Sequence, residues 1–315
     1  MDYISSLATE LVTNQTEELR PMLIELLSEY FGARLQAIVV FGSRATGSAK
    51  PWSDLDVLVV VTELGDWDQR TSDMLVLSRQ MEVRPHVDWV LLTPEECRSN
   101  FESRHPFYLD IAFDGVVLFD REFVTQIMEE IRAYVARRGI IRKPTGWKFP
   151  VEYRKETPLS KATNGDTARA WIETAERDWE SAHLEKAGGV YENAVYHCQQ
   201  AVEKYIKAIL ICWGEFEKTH YVSETLRQCL SEQELDPTWR QKLEQVAEIG
   251  HVIEPEVWKT RYPALFKDGM WIPLEQYDEI KAADALEKAE WVRQTTKEFV
   301  EWWFHPEKTG SEGDE

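Results

Sequence analysis

The sequence has little cysteine, with four residues in 315, and none of them belongs to a Cys-x-x-Cys pair. This scarcity argues against a disulfide scaffold and against the cysteine clusters that bind structural zinc. We therefore expect reduced thiols in the protein core, at the following positions: Cys97, Cys198, Cys212 and Cys229.

Long apolar runs are also absent from the chain. No stretch approaches the ~20 apolar residues that are needed to span a bilayer. Residues 1–30 carry several glutamates in a helix-like pattern, and they lack the basic start and apolar centre of a secretory signal peptide. The sequence therefore predicts a cytoplasmic protein that has no membrane segment.

Positive charge is scarce, because 36 Lys and Arg stand against 56 Asp and Glu, for a net charge of −20. Proteins that bind long nucleic acids use a basic face to neutralise phosphates. The deficit of basic residues argues against a long nucleic-acid partner and against a polymerase role.

The charge is unevenly distributed along the chain. Residues 1–141 carry a net charge of −10, residues 142–164 carry +4 and residues 165–315 carry −14. The middle segment is basic, contains several prolines and has no apolar period, which predicts a linker. The flanking segments are each long enough to bury a core of their own, so we expect two domains.

The first domain alternates strand-like and helix-like stretches. Apolar runs over residues 35–41, 56–61, 86–92 and 115–119 have the length and composition of buried strands. Helical patterns lie between them, and Thr93-Pro94 marks one helix start. This order predicts an α/β arrangement around a small mixed sheet.

A group of polar residues follows the first predicted strand: Gly42, Ser43 and Arg44, and then Asp54 and Asp56 where the second strand begins. A glycine at a strand end lets the backbone turn sharply and direct N–H groups toward an anion. Because side chains alternate along a strand, two aspartates spaced two residues apart share one face. Such a pair suits Mg²⁺ or Mn²⁺, since hard cations take oxygen ligands and share their shell with substrate phosphates.

In these residues the chain resembles the minimal nucleotidyltransferases of the DNA polymerase β superfamily, through Gly42-Ser43, Arg44, Gly47 and Ser53-Asp54-Leu55-Asp56. The resemblance implies a third carboxylate on a later strand, and Asp88 supplies it. It also implies that Asp54, Asp56 and Asp88 are catalytic and bind two divalent metal ions, with Asp88 on the side of the attacking group.

The same resemblance implies a reaction. An acceptor hydroxyl would attack the α-phosphate of ATP or another nucleoside triphosphate, and pyrophosphate would leave. Ser43 and the backbone after Gly42 would hold the β- and γ-phosphates, with Arg44 as a further candidate for phosphate binding.

Residues 165–315 change to helical periodicity. Apolar stripes over residues 168–182, 191–209 and 283–304 predict amphipathic helices that pack as a bundle. The run from Tyr191 to Ala208 is similar to the second helix of HEPN domains.

Two shorter segments, Thr219-His220 and Thr260-Arg261-Tyr262-Pro263, are similar to later parts of HEPN domains. The predicted fold class is therefore α+β, with a small mixed-sheet polymerase-β-like nucleotidyltransferase domain followed by an all-α HEPN-like helical bundle. Arg261 and Tyr262 are candidates for an acceptor cleft, and a turn that only packs on the bundle is the alternative.

Some HEPN domains cleave RNA with an Arg that is followed, after four to six residues, by a His on a late helix. In the bundle this spacing occurs at Arg177 and His183, on the first predicted helix and not on a late one. We therefore interpret His183 and His197 as structural residues and expect no ribonuclease activity.

The acceptor is open at this stage. A protein hydroxyl is one hypothesis, because nucleotidyltransferases paired with HEPN toxins in toxin–antitoxin systems adenylate a tyrosine of the toxin. A small molecule is another, because aminoglycoside and lincosamide nucleotidyltransferases join this catalytic domain to a helical domain, and a net charge of −20 attracts polycations. The third hypothesis is a non-catalytic nucleotide-binding sensor whose HEPN half forms a homodimer.

Overall fold

The computed structural model describes residues 19–50, 52–81, 86–266 and 269–305. The chain divides into two compact units, Met1–Arg138 and Gly139–Glu315. The part of the predicted amino-terminal helix that precedes residue 19 lies outside the described residues.

The first unit contains six described helices and a four-stranded sheet. The helices are α1 (19–31), α2 (Gly42–Ala45), α3 (Trp67–Gln80), α4 (Pro94–Glu102), α5 (Pro106–Asp114) and α6 (Val124–Arg138). The strands are β1 (Leu35–Phe41), β2 (Leu55–Val61), β3 (Val87–Leu92) and β4 (Val116–Asp120).

The sheet has the order β3-β2-β1-β4 and is mixed, as predicted. β1 is antiparallel to β2 and β4, whereas β2 and β3 are parallel. Nearly every residue of β1 and β2 is buried, which explains why both strands are continuous apolar runs in the sequence. Asp56, the polar exception of β2, lies at the edge where β2 and β3 begin, whereas Gln36, the polar exception of β1, lies near the other end of the ladder.

Local signals in the sequence fix some helix boundaries. Thr93 begins α4 with a capping box, in which its hydroxyl accepts from the Glu96 N–H and the Glu96 carboxylate accepts from the Thr93 N–H. Arg70 of α3 donates two hydrogen bonds of 2.9 Å to the same carboxylate. The cap therefore joins α3 to α4.

The second unit is a helical bundle with short strands. Its helices are α7 (Asn164–Ala187), α8 (Tyr191–Cys212), α9 (Ser223–Glu232), α10 (Pro237–Ile253), α11 (Glu256–Lys259), α12 (Pro273–Gln276) and α13 (Glu279–Phe304). Its strands are β5 (Ile141–Lys143), β6 (Gly146–Lys148), β7 (Glu215–Glu217), β8 (Ala264–Phe266) and β9 (Gly269–Trp271).

The core of the bundle lies between α7, α8 and α13, and small residues allow the helices to approach closely. Ala168, Ala175 and Ala182 of α7 are fully buried in this core. Trp303 of α13 is also buried, and its ring meets that of Trp213. The predicted helical stripes are thus the faces that form this core.

The segment 142–164 differs from the predicted linker. β5 and β6 form a hairpin, and β6 pairs with β7 to complete a three-stranded sheet of the second unit. Lys143 and Lys148 form ion pairs of 2.7 and 2.9 Å with the buried carboxylate of Glu215. The positive charge of this segment therefore compensates a buried glutamate, and short strands accompany the predicted helical bundle.

Two expectations from composition can be compared with the structure. All four cysteines are free and buried, as predicted, and burial raises the pKa of the Cys97 and Cys198 thiols to about 12. Across the described ranges, no helix combines the length and apolar character that a bilayer crossing requires.

Candidate active site

The close approach of Gly42 to Asp56 defines the centre of the candidate site. In the β1–β2 ladder Phe41 lies opposite Asp56, so Gly42 leaves the strand directly beside this carboxylate. Gly42 has a φ of +71°, and a Cβ on it would lie 2.1 Å from Oδ2 of Asp56. Only glycine therefore fits between the end of β1 and the carboxylate.

The parallel pairing of β2 with β3 brings the remaining carboxylates together. Asp56 lies opposite Asp88 in this ladder, so the carboxylate on the later strand does reach the first pair. Asp54, His86 and Asp88 each place one potential ligand atom so that all three atoms lie within 4.8 Å of one another. The structure thus brings the three sequence-predicted aspartates to one edge of the sheet.

The charges at this edge repel one another. Burial raises the pKa of Asp56, and the charges of Asp88 and then Asp54 raise it further, whereas Arg44 acts in the opposite direction and only partly offsets them. A divalent cation would relieve this repulsion. Three carboxylates and one imidazole are a donor set that fits Mg²⁺ or Mn²⁺, with the carboxylate oxygens as the preferred ligands.

His86 is a residue of the site that sequence reasoning missed. Its Nδ1 atom lies 3.3 Å from Oδ1 of Asp88 and 4.0 Å from Oδ1 of Asp54. The signal was present in the sequence, because His86 precedes Asp88 by two residues, and an extended chain places such residues on one face.

Arg44 has a different environment from the one expected of a phosphate ligand. Its side chain is buried, its Nε donates to the carbonyl of Asp54 at 3.2 Å, and one terminal nitrogen donates to the carbonyl of Ser53 at 2.6 Å. These bonds hold the backbone that enters β2. Arg44 thus holds the backbone at Ser53 and Asp54, and phosphate binding by Arg44 stays a prediction.

The turn after Gly42 is held by its own hydrogen bonds. The Ser43 carbonyl accepts from the Ser48 N–H at 2.9 Å and from the Thr46 hydroxyl at 3.1 Å. Thr46 and Ser48 also share a side-chain hydrogen bond of 2.8 Å. The backbone around Ser43 is fixed in this way while its side chain stays partly exposed.

A further aspartate near the sheet has a structural task. The Asp120 carboxylate accepts from the N–H groups of Phe123, Val124 and Thr125 at 2.9 to 3.0 Å, where α6 begins. Burial acts to raise the pKa of Asp120, but these hydrogen bonds outweigh it and lower the pKa on balance. Asp120 is therefore a helix cap.

In the second unit, the candidate acceptor residues lie on the surface. The Arg261 guanidinium lies 5.4 Å from the ring centre of Tyr196 and 5.0 Å from that of Tyr262, and both Arg261 and Tyr262 are exposed. His197 contacts the Asp178 carboxylate at 3.2 Å, and His183 packs against an aromatic ring. An acceptor role for Arg261 and Tyr262 stays a prediction.

Two family models match the chain in the order that the fold suggests. A nucleotidyltransferase domain model matches residues 21–119, and a HEPN domain model matches residues 168–299. The protein "Putative toxin MJ1304" of Methanocaldococcus jannaschii is 34% identical over 133 residues, which are 42% of this chain and 88% of that protein. The chain belongs to the HEPN family and carries a nucleotidyltransferase domain ahead of its HEPN domain.

Solved structures are also similar to the chain. A nucleotidyltransferase-like protein from Exiguobacterium sibiricum matches with 13% identity and a TM-score of 0.41, over 91% of this chain and 79% of that one. A tri-AMPylated HEPN toxin from Shewanella oneidensis, in complex with an MNT antitoxin, matches with 19% identity and a TM-score of 0.24, over 42% of this chain and 92% of that one.

Proposed function

We propose that the first unit transfers a nucleoside monophosphate, AMP from ATP, onto a hydroxyl group. The observation that carries the proposal is the arrangement at the sheet edge, where Gly42 leaves β1 against Asp56 while Asp54 and Asp88 lie beside it. The nucleotidyltransferase domain match over residues 21–119 supports the same reaction class.

Asp54, Asp56 and Asp88 would hold the divalent cations, Mg²⁺ or Mn²⁺. Bound there, these ions would neutralise charge on the phosphates and increase the nucleophilicity of the acceptor oxygen. The raised pKa of Asp56 supports this assignment, because the carboxylates repel one another until a cation is present.

The chain's own groups have separate tasks in the proposed reaction. The fixed turn at Gly42 and Ser43 holds the β- and γ-phosphates, and Arg44 keeps Asp54 in place. The acceptor oxygen forms a bond to the α-phosphorus as the bond between this phosphorus and the pyrophosphate oxygen breaks. The hydroxyl proton passes to an Asp88 carboxylate oxygen, which His86 contacts at 3.3 Å.

A hydroxyl of a HEPN domain is the acceptor that we favour. Nucleotidyltransferase and HEPN domains occur here in one chain, and the protein "Putative toxin MJ1304" of Methanocaldococcus jannaschii is a relative of it, which supports a toxin–antitoxin setting. Tyr221 and Tyr262 are exposed tyrosines of the second unit. They offer acceptors on this chain or on a second copy held through a HEPN homodimer.

A small-molecule acceptor is the second candidate, and the net charge of −20 is the observation that favours it. A polycation such as an aminoglycoside would be attracted to an acidic protein, and its hydroxyl groups would be the acceptors.

Incubation with ATP labelled at the α-phosphate tests the proposal and separates the two acceptors. We expect label on the protein, and we expect Tyr221→Phe or Tyr262→Phe to remove it if that tyrosine is the acceptor. Label on an added aminoglycoside, with none on the protein, would favour the small molecule. Absence of label from both, across all four nucleoside triphosphates with Mg²⁺ or Mn²⁺, would contradict the proposal.

A further inference from the structure

Trp52 is an exposed tryptophan next to the candidate site. Its side chain is 76% exposed, and it precedes Asp54 by two residues. Single exposed apolar residues are common on protein surfaces, so exposure alone carries no argument. Trp52 differs from such residues in two ways: hydrogen bonds hold the backbone on either side of it, and it lies close to the carboxylates in the chain.

Hydrogen bonds hold the chain on both sides of Trp52. The Lys50 N–H donates to Oγ of Ser53 and the Ser53 N–H donates to the carbonyl of Lys50, both at 2.9 Å. Arg44 holds the carbonyls of Ser53 and Asp54. Trp52 thus lies between Lys50 and Ser53, which hydrogen bonds join, and a binding group that is held in place loses less entropy when its ligand arrives.

The distance from Trp52 to the carboxylates suits a nucleotide. Two residues of extended chain span about 7 Å, so the Trp52 backbone lies within about 7 Å of that of Asp54. In a nucleotide, one sugar ring separates the α-phosphate from the base. When the α-phosphate lies at the carboxylates, the base therefore lies about as far from them as Trp52 does. Lys50 also contributes here, since its Nζ lies 5.7 Å from the centre of the indole ring.

We propose that Trp52 is the surface on which the base of the nucleoside triphosphate stacks, with the Lys50 ammonium group beside the bound nucleotide. The inference rests on the proposed function, because it assigns the base of the same substrate. A base offers a flat face of matching size, and stacking on an aromatic side chain needs no particular hydrogen-bond pattern. Purines overlap the indole more than pyrimidines do, so ATP and GTP bind more tightly than CTP and UTP.

Trp67 is a matched control. It is 74% exposed and belongs to the same unit, but it begins α3, beyond the opposite end of β2. Seven strand residues extend about 23 Å, which separates that end of β2 from Asp54. Loss of the Trp67 ring therefore removes an equally exposed indole from a place that the base does not reach.

The test measures equilibrium binding of an α,β-methylene analogue of ATP, which is not transferred, and of tripolyphosphate, both with Mg²⁺. We expect Trp52→Ala to weaken binding of the analogue about 10-fold. Trp52→Phe keeps most of the affinity, and Trp67→Ala binds like the wild type. All variants bind tripolyphosphate equally, because it has no base.

Two results would overturn the stacking assignment while the proposed function stands: unchanged affinity of Trp52→Ala for the analogue, or an equal loss of affinity for tripolyphosphate. The second result would mean that the ring only supports the turn. A wild-type protein that binds neither compound would overturn the proposed function and this inference together.

Discussion

Glu203 of the second unit is buried and Asp56 of the first is half-buried, and the charged groups nearest to them differ in sign. Glu203 lies 2.8 Å from Nζ of Lys207 and 2.9 Å from Nδ1 of His220. Burial acts to raise the pKa of Glu203, but Lys207 and His220 outweigh it and lower the pKa on balance. The pKa of Asp56 is raised, because burial acts together with the charges of Asp88 and Asp54.

The two environments distinguish carboxylates that stabilise the fold from carboxylates that would bind a ligand. The bundle supplies cations to its own acids, as it does at half-buried Glu176, where Arg293 approaches to 2.8 Å, and at buried Glu215, which Lys143 contacts. At the sheet edge the acids face one another instead. Such repulsion is typical of functional sites, and the metal and phosphate binding that we propose would explain why it is kept.

The largest effect is expected from Asp56→Asn. We expect transfer from ATP to fall by about 10³-fold, because a charge that holds the substrate's cation is lost. The melting temperature without metal should stay the same or rise, since the repulsion from Asp88 and Asp54 is relieved. Thermal unfolding and label transfer, measured on the same preparation, check both parts. A variant that melts earlier and transfers normally would reverse the assignment.

In the bundle, the same kind of change should have the opposite outcome. Glu203→Gln leaves Lys207 buried beside a neutral group, and we expect a loss of about 3 kcal/mol in the free energy of unfolding. Glu298→Gln is the control, because its ion pair with Lys242 is exposed and should contribute less than about 1 kcal/mol. Urea titrations of both variants measure the difference, and equal losses would break the comparison.

Gly42→Ala tests the close approach at the sheet edge. A Cβ at this position meets Oδ2 of Asp56, so the carboxylate must move, and we expect transfer to fall by about 10²-fold. Gly32→Ala is the control in the same unit, because Gly32 also has a positive φ, of +56°, but a Cβ there meets nothing within 4 Å. An equal fall in the transfer rate of Gly42→Ala and Gly32→Ala would show that backbone strain explains the loss without the contact to Asp56.

Arg44→Lys should have the smallest effect. The lysine keeps the charge but cannot donate to the carbonyls of Ser53 and Asp54 together, so Asp54 is held less firmly. We expect a fall of about 10-fold in the rate of transfer, with little change in tripolyphosphate binding. A large loss of tripolyphosphate affinity would instead indicate that Arg44 binds the phosphates directly.

Sequence patterns were sufficient where a residue's neighbours in the chain decide its structure. The apolar run 35–41 coincides with β1, and Thr93 with Glu96 forms the cap that its residue type favours. Gly42, Asp54 and Asp56 could be placed at the sheet edge for the same reason, because they stand where one predicted strand ends and the next begins.

Contacts between distant parts of the chain could not be predicted in this way. His86 approaches Asp54 because β2 and β3 pair in parallel in one particular register, which the local pattern does not specify. Residues 142–164 looked like a linker because the pairing partner of β6 lies about 70 residues further along the chain, at Glu215–Glu217. The two carbonyls that Arg44 holds belong to residues nine and ten positions further along the chain, so the local pattern did not indicate them.

The most direct test of the central claim compares ATP labelled at the α-phosphate with ATP labelled at the γ-phosphate, in the wild type and in Asp56→Asn. A nucleotidyl-transfer site at Asp54, Asp56 and Asp88 predicts that the α-label, and not the γ-label, becomes attached to an acceptor, and that the variant loses this attachment while remaining folded. Attachment of the γ-label, or equal α-label transfer by folded Asp56→Asn, would contradict the account.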